Sequence, residues 1–405
     1  MFWKVSGRCR NIQTITLKDW LESNKDWIYQ TFEDLHDLAE VSWKEEKTRD
    51  YLITKLNKFE LSYQTFENHC GVVASWQGKK EGPTAAIRTD MDALWQPVNG
   101  EWKANHSCGH DAHMTMVLSA IKCLKEMGFK PEYGNFKIIF QPAEETGKGA
   151  LAMVEDGVLE DVDYLLGIHV RPKIELRFGQ ASPAIYHGAA TLLKGKVTGV
   201  QAHGSRPNQG VNVVDAIGAI ISAVNGIKVD PTVPSSAKVT QINAGGTNIN
   251  LIPDQGDFSI DIRAQKNEVM DELLNKVNRA VKGAGEANGS KVSLDPVAKM
   301  AASIPNQRME RHVRAAITDV LGENGVVDPP VTPGGEDFHF YPLEKEGLHA
   351  TMIGLGTDLV PGLHHPDMKF NHHALENGAA ILARTVLELF EEEIVREENS
   401  NAKME

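Results

Sequence analysis

Cysteine, aromatic residues and positive charge are all sparse in this chain, and each shortage removes a class of explanation. The four cysteines among 405 residues (Cys9, Cys70, Cys108 and Cys123) show no Cys-x-x-Cys and no paired spacing. A disulfide framework is therefore not expected, and a reducing cytoplasm is the expected compartment. Acidic residues outnumber basic ones by 55 to 42, for a formal net charge of −13. That balance argues against nucleic acid, whose phosphates require a basic face, and against an anionic membrane surface. No apolar run is long enough to span a bilayer, and Met1-Phe2-Trp3-Lys4-Val5 lacks the apolar core of a secretory signal. Repeats and low-complexity tracts are missing as well. What remains is a globular chain with 41% hydrophobic and 24% charged residues, long enough for two domains.

Periodicity predicts helices over 17–39 and from Glu45 to Phe59, followed by Val72–Trp76 and Thr84–Arg88 as neighbouring strands. A helix over 111–127, a strand Phe136–Phe140, a helix over 147–156 and a strand Tyr164–Ile168 continue the alternation. Such alternation implies an α/β layer around a largely parallel sheet, with side chains of interest just past the C-terminal ends of strands. The pattern then changes. Strands at Thr191–Gly199, Ala237–Ala244, Asp257–Arg263 and Lys291–Leu294, with helices over 210–227 and 266–287, make a compact α+β unit. Helix–strand alternation resumes from Met309 to Leu389. The expected architecture is an α/β/α catalytic domain from residues 14–186 and 299–390, interrupted by a smaller α+β lid over 187–298. Residues 1–13 and 391–405 are expected to be flexible, the latter carrying Glu391-Glu392-Glu393.

The densest chemistry lies in His106-Ser107-Cys108-Gly109-His110-Asp111-Ala112-His113, followed by Gln141-Pro142-Ala143-Glu144-Glu145. Three imidazoles, a thiol and carboxylates at this density suit a divalent metal. Adjacent glutamates suit a division of labour, one holding metal and one acting as general base. The bland alternative for Cys108-x-His110 alone is a buried thiol beside helix-capping groups. Glu-Glu pairs are usually solvated, and Glu45-Glu46 and Glu397-Glu398 are read that way here. His169, closing a strand, reads equally as a ligand or a core histidine, and Leu363-His364-His365-Pro366 offers another donor.

The eight-residue run resembles the His-Ala-Cys-Gly-His-Asp-x-His motif of the aminoacylase, hippurate hydrolase and auxin-conjugate amidohydrolase family of binuclear metallopeptidases. Further stretches are similar in the family's order: Arg88-Thr89-Asp90-Met91-Asp92-Ala93-Leu94, Gly167-Ile168-His169-Val170, Ala202-His203-Gly204-Ser205-Arg206-Pro207, Asn248-Ile249-Asn250-Leu251-Ile252-Pro253, Gly335-Glu336-Asp337-Phe338 and Leu363-His364. The resemblance implies two divalent ions, zinc or manganese ahead of cobalt or nickel, held by Cys108, His110, Glu145, His169 and His364. It implies Glu144 as general acid/base, Asp90 as the residue orienting a ligand, and a lid residue, His203, stabilising the oxyanion. Asn250 and Arg263 would bind the substrate carboxylate, and Asp92 is left without a role. Departures from the family pattern include Trp95 in place of a common proline and His365 in place of a serine. The implied reaction is hydrolysis of an N-acyl amino acid, with a dipeptidase, carboxypeptidase or N-acetyl-diaminopimelate deacetylase as rivals. Outside the enzymes, the rival is a non-catalytic sensor of amino acid conjugates. Trp95 and Trp102 suggest a hydrophobic or aromatic acyl group, and an exposed lid edge is where two copies could pair as a homo-oligomer.

Overall fold

The computed structural model describes residues 16–401, with side chains described through residue 392, so the extension over 1–13 lies outside the described residues. The first helix, Leu17–Asp37, starts where Thr16 accepts a hydrogen bond from the Asp19 N–H, the side-chain cap that its position predicts.

The larger sheet has seven strands, in the order Ser62–Thr65, Val72–Gln77, Tyr133–Gln141, Lys80–Asp90, Val162–Pro172, His349–Leu359, Ala181–Ser182. Its four middle strands run parallel and its outer pairings are antiparallel. Because successive strand residues face opposite sides, Ala85, Ile87, Ile138 and Phe140 enter one core while Ala86 and Ile139 enter the other. Helices Leu17–Asp37, Glu46–Lys58, His110–Glu126, Gln307–Leu321 and Ala374–Asn401 contribute to the first core. Helix Gly149–Glu155 and Phe338–Tyr341 contribute to the second.

One expected adjacency is corrected. Val72–Gln77 does not pair with Lys80–Asp90, because Tyr133–Gln141 lies between them. Bare backbone makes the insertion feasible. A Cβ on Gly134 (φ +68°) would stand 1.8 Å from the Pro83 carbonyl, and one on Gly78 would stand 2.0 Å from the Gly134 carbonyl. No local pattern foretells a strand arriving from fifty residues away.

Strands Ser235–Ala244, Gln255–Ala264, Ala189–Thr198 and Lys291–Met300 form a separate antiparallel sheet in that order. Helices Val213–Asn225 and Asn267–Ala287 pack on it around Val197, Ile217, Phe258, Ile260 and Val277. The last helix runs Ala374–Asn401. Glu392 is engaged by Arg308 and His312, at 3.2 and 2.6 Å, which ties the acidic stretch to a neighbouring helix. Among the described residues no helix is long and apolar enough to cross a membrane.

Candidate active site

Cys108 and His110 sit where the chain enters helix His110–Glu126, and Gly109 between them adopts φ +90°. A side chain at Gly109 would strike Val170, its Cβ falling 2.5 Å from a Val170 methyl, so glycine is required for both geometry and space. Glu144 and Glu145 form the tight turn after strand Tyr133–Gln141, and His169 lies within strand Val162–Pro172. His364 arrives on a loop with φ +63°, its N–H donating to the Ser107 carbonyl at 2.7 Å.

These elements bring five donors together. Cys108 Sγ lies 3.6 Å from His169 Nε2 and 3.3 Å from His364 Nε2, and His364 Nε2 lies 3.4 Å from Glu145 Oε1. His110 Nε2 faces Glu144 Oε2 at 3.8 Å and Asp90 Oδ2 at 3.9 Å. The far nitrogens are already occupied. His110 Nδ1 donates to the Asp92 carbonyl (2.8 Å) and His169 Nδ1 to the Val170 carbonyl (2.7 Å). That pattern leaves each Nε2 lone pair directed at the cluster, as metal-binding imidazoles are held. His110 Nε2 and Glu145 Oε1 are buried with no hydrogen-bond partner. Sulfur and nitrogen on one tetrahedral zinc ion, with bonds of about 2.3 and 2.0 Å, lie about 3.5 Å apart, close to the Cys108–His169 separation. The donor set therefore fits a divalent metal.

Electrostatics agree with a site built for cations. Burial, reinforced by Glu145, pushes the Cys108 thiol well above its ordinary range. Burial, then Glu336 and Glu145, raises Glu144 well above the usual carboxyl range, and burial raises Glu145 to about 7. Burial opposes charge on His110, but Asp90, Cys108 and Asp92 outweigh it and hold that imidazole well above its ordinary value.

His113 stands apart from the five. Its Nε2 accepts from the Val170 N–H at 3.0 Å, so Nδ1 carries the proton and donates to Asp90 at 2.8 Å. Both nitrogens are used. Asp90 thus orients His113, while the main-chain carbonyl of Asp92 holds the ring of ligand-like His110. Asp92 does more: its two carboxylate oxygens accept the N–H groups of Glu144 (3.0 Å) and Glu145 (3.2 Å). Glu45, read as solvated from its sequence context, is fully buried, and its Oε1 accepts the Ala143 N–H at 2.9 Å. Ala143 has φ +53°, a left-handed backbone that costs a non-glycine residue about 1–2 kcal/mol. Nothing in Glu45-Glu46 distinguishes it from a surface pair, since its burial depends on where Ala143 arrives.

His365 Nδ1 accepts the Asp367 N–H within its own turn, so of the adjacent histidines His364 is the one beside Cys108. The loop is braced by a hairpin, Leu94–Val98 with Glu101–Asn105, through Gln96 Nε2 to the His364 carbonyl at 3.1 Å. The Asn99-Gly100 dipeptide at its tip was the available signal for that hairpin. Trp95 and Trp102 are 59% and 62% exposed on it.

The residues expected from the second unit are not gathered here. His203 is exposed and bonds its own turn at Ser205, and Asn250 lies beside it, its carbonyl accepting the Gly204 N–H at 2.7 Å. Arg263, expected to bind the substrate carboxylate, pairs with Asp261 two residues away on the same strand (2.7 Å).

Behind the motif, Asp111 accepts from His36 Nδ1 at 2.7 Å. That hydrogen bond raises the His36 pKa above the ordinary imidazole value of 6.5. Its stabilisation is complete below the unfolded value and fades as pH rises through the folded one. His36→Gln is accordingly expected to lower the melting temperature at pH 6 and to change it little at pH 9. Equal losses at both pH values would contradict the charged pairing.

Comparison with known proteins places the chain among hydrolases. The sequence profile of Peptidase family M20/M25/M40 matches residues 86–388. The chain is 27% identical over 385 residues to IAA-amino acid hydrolase ILR1-like 2 of Arabidopsis thaliana, covering 91% of this chain and 86% of that protein. It is 28% identical over 369 residues to N-acetyl-L-cysteine deacetylase of Bacillus subtilis (strain 168), covering 88% and 86%. In fold it matches the YXEP protein of Bacillus subtilis, a dinuclear metal binding peptidase, with TM-score 0.76, 23% identity, and coverage of 91% and 99%.

Proposed function

The chain belongs to Peptidase family M20/M25/M40, and on that premise we propose that it hydrolyses the amide bond of N-acyl amino acids with the help of two divalent ions. The observation that carries this reading is the convergence of Cys108, His110, Glu145, His169 and His364 beside a buried Glu144. The two curated relatives described above are named for hydrolysing an amino acid conjugate and for deacetylating an N-acetyl amino acid, both amide cleavages at an acylated amino group.

In this proposal the five residues hold the ions, zinc or manganese ahead of cobalt or nickel. Ions bound there supply Lewis acidity for the carbonyl and for water. Glu144 accepts the proton of the attacking water and returns it to the leaving nitrogen, the two transfers a single carboxylate can perform in sequence. The Asp92 carbonyl fixes the His110 ring, and the Asp92 carboxylate, accepting the N–H groups of Glu144 and Glu145, fixes the direction of both glutamates. Residues 187–298 act as a lid over 14–186 and 299–390. Lid closure brings His203 to the developing oxyanion, and Asn250 and Arg263 to the substrate carboxylate. A reducing cytoplasm fits, because Cys108 must remain available as a thiolate.

The test is free-amine release from N-acetyl, N-benzoyl and dipeptide substrates after chelation and separate restoration of zinc, manganese, cobalt or nickel. Activity should vanish with chelation, return with metal, and favour N-acyl amino acids over dipeptides. A chelated protein with undiminished turnover would refute the metal requirement. Preference for dipeptides would move the assignment to a peptidase.

A further inference from the structure

We propose that Glu45, carried by the segment over residues 40–45, is a positioning residue that sets the direction of Glu144 and Glu145. The inference rests on the roles proposed above for those two glutamates. It concerns a part of the chain outside residues 86–388, the stretch that matches the family profile.

Three consecutive amides, those of Ala143, Glu144 and Glu145, each donate to a buried carboxylate. The Ala143 N–H reaches Glu45 Oε1 at 2.9 Å, and the other two reach Asp92 at 3.0 and 3.2 Å. Successive N–H groups at a left-handed residue form a concave anion-binding turn, and here the acceptors are the protein's own carboxyl groups. Ala143, at φ +53°, has its carbonyl held from within the turn by the Thr146 N–H and Oγ1 at 3.3 and 2.8 Å, whereas its N–H is held from outside, by Glu45.

The segment over 40–45 supplies that outside hold at several points. Glu45 Oε1 also accepts the Trp43 N–H at 3.0 Å, which fixes the carboxylate before Ala143 meets it. Ser42 Oγ donates to Asp92 Oδ2 at 2.6 Å, tying the second carboxylate to the same segment. The Glu40 carbonyl accepts the Ala93 N–H at 2.8 Å, docking the segment beside the Asp90-Met91-Asp92 stretch. Among the described residues, Glu45 makes no hydrogen bond or ion pair with the five donors. Its influence passes through the Ala143 peptide, whose rotation would swing both following carboxylates. With Glu45 gone, the Ala143 N–H would be buried without an acceptor, and the left-handed turn would lose the tie at its N–H, keeping those from Asp92 and Thr146.

The experiment uses the full chain reloaded with zinc or manganese and an N-acetyl amino acid as substrate. Glu45→Ala should lower kcat about 10–100-fold, as loss of an outer-layer partner typically does, with KM little changed. Glu45→Gln keeps an oxygen acceptor and should stay near wild type. Ala143→Gly removes the conformational penalty, so the Glu45→Ala/Ala143→Gly double variant should recover most of the lost kcat. Amide hydrogen exchange over residues 141–147 should accelerate in Glu45→Ala and not in Glu45→Gln. Should Glu45→Ala fail to fold, Glu45→Met fills the volume without an acceptor and takes its place. Unchanged kcat and exchange in the acceptor-free variant would overturn the proposal. So would equal damage from Glu45→Gln, or a double variant no better than Glu45→Ala. A wild-type chain silent with every metal and substrate would count against the amidohydrolase reading instead, while the exchange comparison would still decide the role of Glu45.

Discussion

Glu144→Gln is expected to leave the protein folded and metal-loaded while lowering kcat by about 10³-fold or more, in the upper part of the range for loss of general acid–base catalysis. Three features of the site produce this expectation. Glu144 is 5% exposed, so bulk water cannot substitute freely for it as a proton acceptor. Its Oε1 is met by the Asp337 N–H at 3.4 Å and its Oε2 faces His110, so the carboxyl group is directed rather than free to rotate. Burial and the neighbouring Glu336, Glu145 and Asp337 carboxylates raise its proton affinity, which suits a group that must take a proton and give it back. Glutamine preserves size and most contacts, so the loss should appear in kcat with bound metal per chain unchanged by elemental analysis. A variant that turns over N-acyl amino acids at a rate near wild type would remove Glu144 from the mechanism. A variant that loses metal would make it a ligand instead.

The second large effect is on stability. Arg88 is 1% exposed and is the shared partner of three buried carboxylates: Asp90 at 2.8 Å, Asp337 at 2.7 Å and Glu336 at 3.1 Å. Its Nε also donates to Gln141 at 2.8 Å. One cation cannot satisfy three anions equally. Asp90, despite its burial, is held well below the ordinary carboxyl range by His110, His113 and Arg88. Asp337 is pushed up to about 7 by burial and Glu336, which together outweigh Arg88. Removing the cation strands the carboxylates. Arg88→Met should therefore destabilise the fold by about 3–5 kcal/mol, the usual scale for breaking one side of a buried ion pair. Denaturant unfolding of Arg88→Met beside Arg88→Met/Glu336→Gln measures it, and the second substitution should restore part of the loss. A stability change below about 1 kcal/mol, the scale of an exposed pair, would show that the network contributes little.

The motif around Cys108 and the Glu144-Glu145 pair were legible because metal ligands need particular atoms, and few residue types provide them. The elements were legible because burial on one face imposes a period along the chain. Helix His110–Glu126 and strand Val162–Pro172 fall where that period put them, with wider bounds for the strand. Asp92, Glu45 and Arg88 were not legible in their roles. Each is an ordinary charged residue whose contribution lies in contacts made across the chain, with Glu45 meeting Ala143 and Arg88 meeting Asp337.

The sequence by itself determined the ligand chemistry, the alternation of helix and strand, and the insertion of a differently patterned stretch between them. Only the tertiary structure decided that Tyr133–Gln141 separates two strands close in sequence, that the Asp92 carbonyl meets His110 while the Asp90 carboxylate meets His113, and that Arg263 lies against Asp261. The physical reason is the range of the forces involved. Periodicity and ligand identity are local properties of a side chain and its near neighbours. Burial of a charge, and the partner that makes the burial tolerable, exist only after distant segments have met.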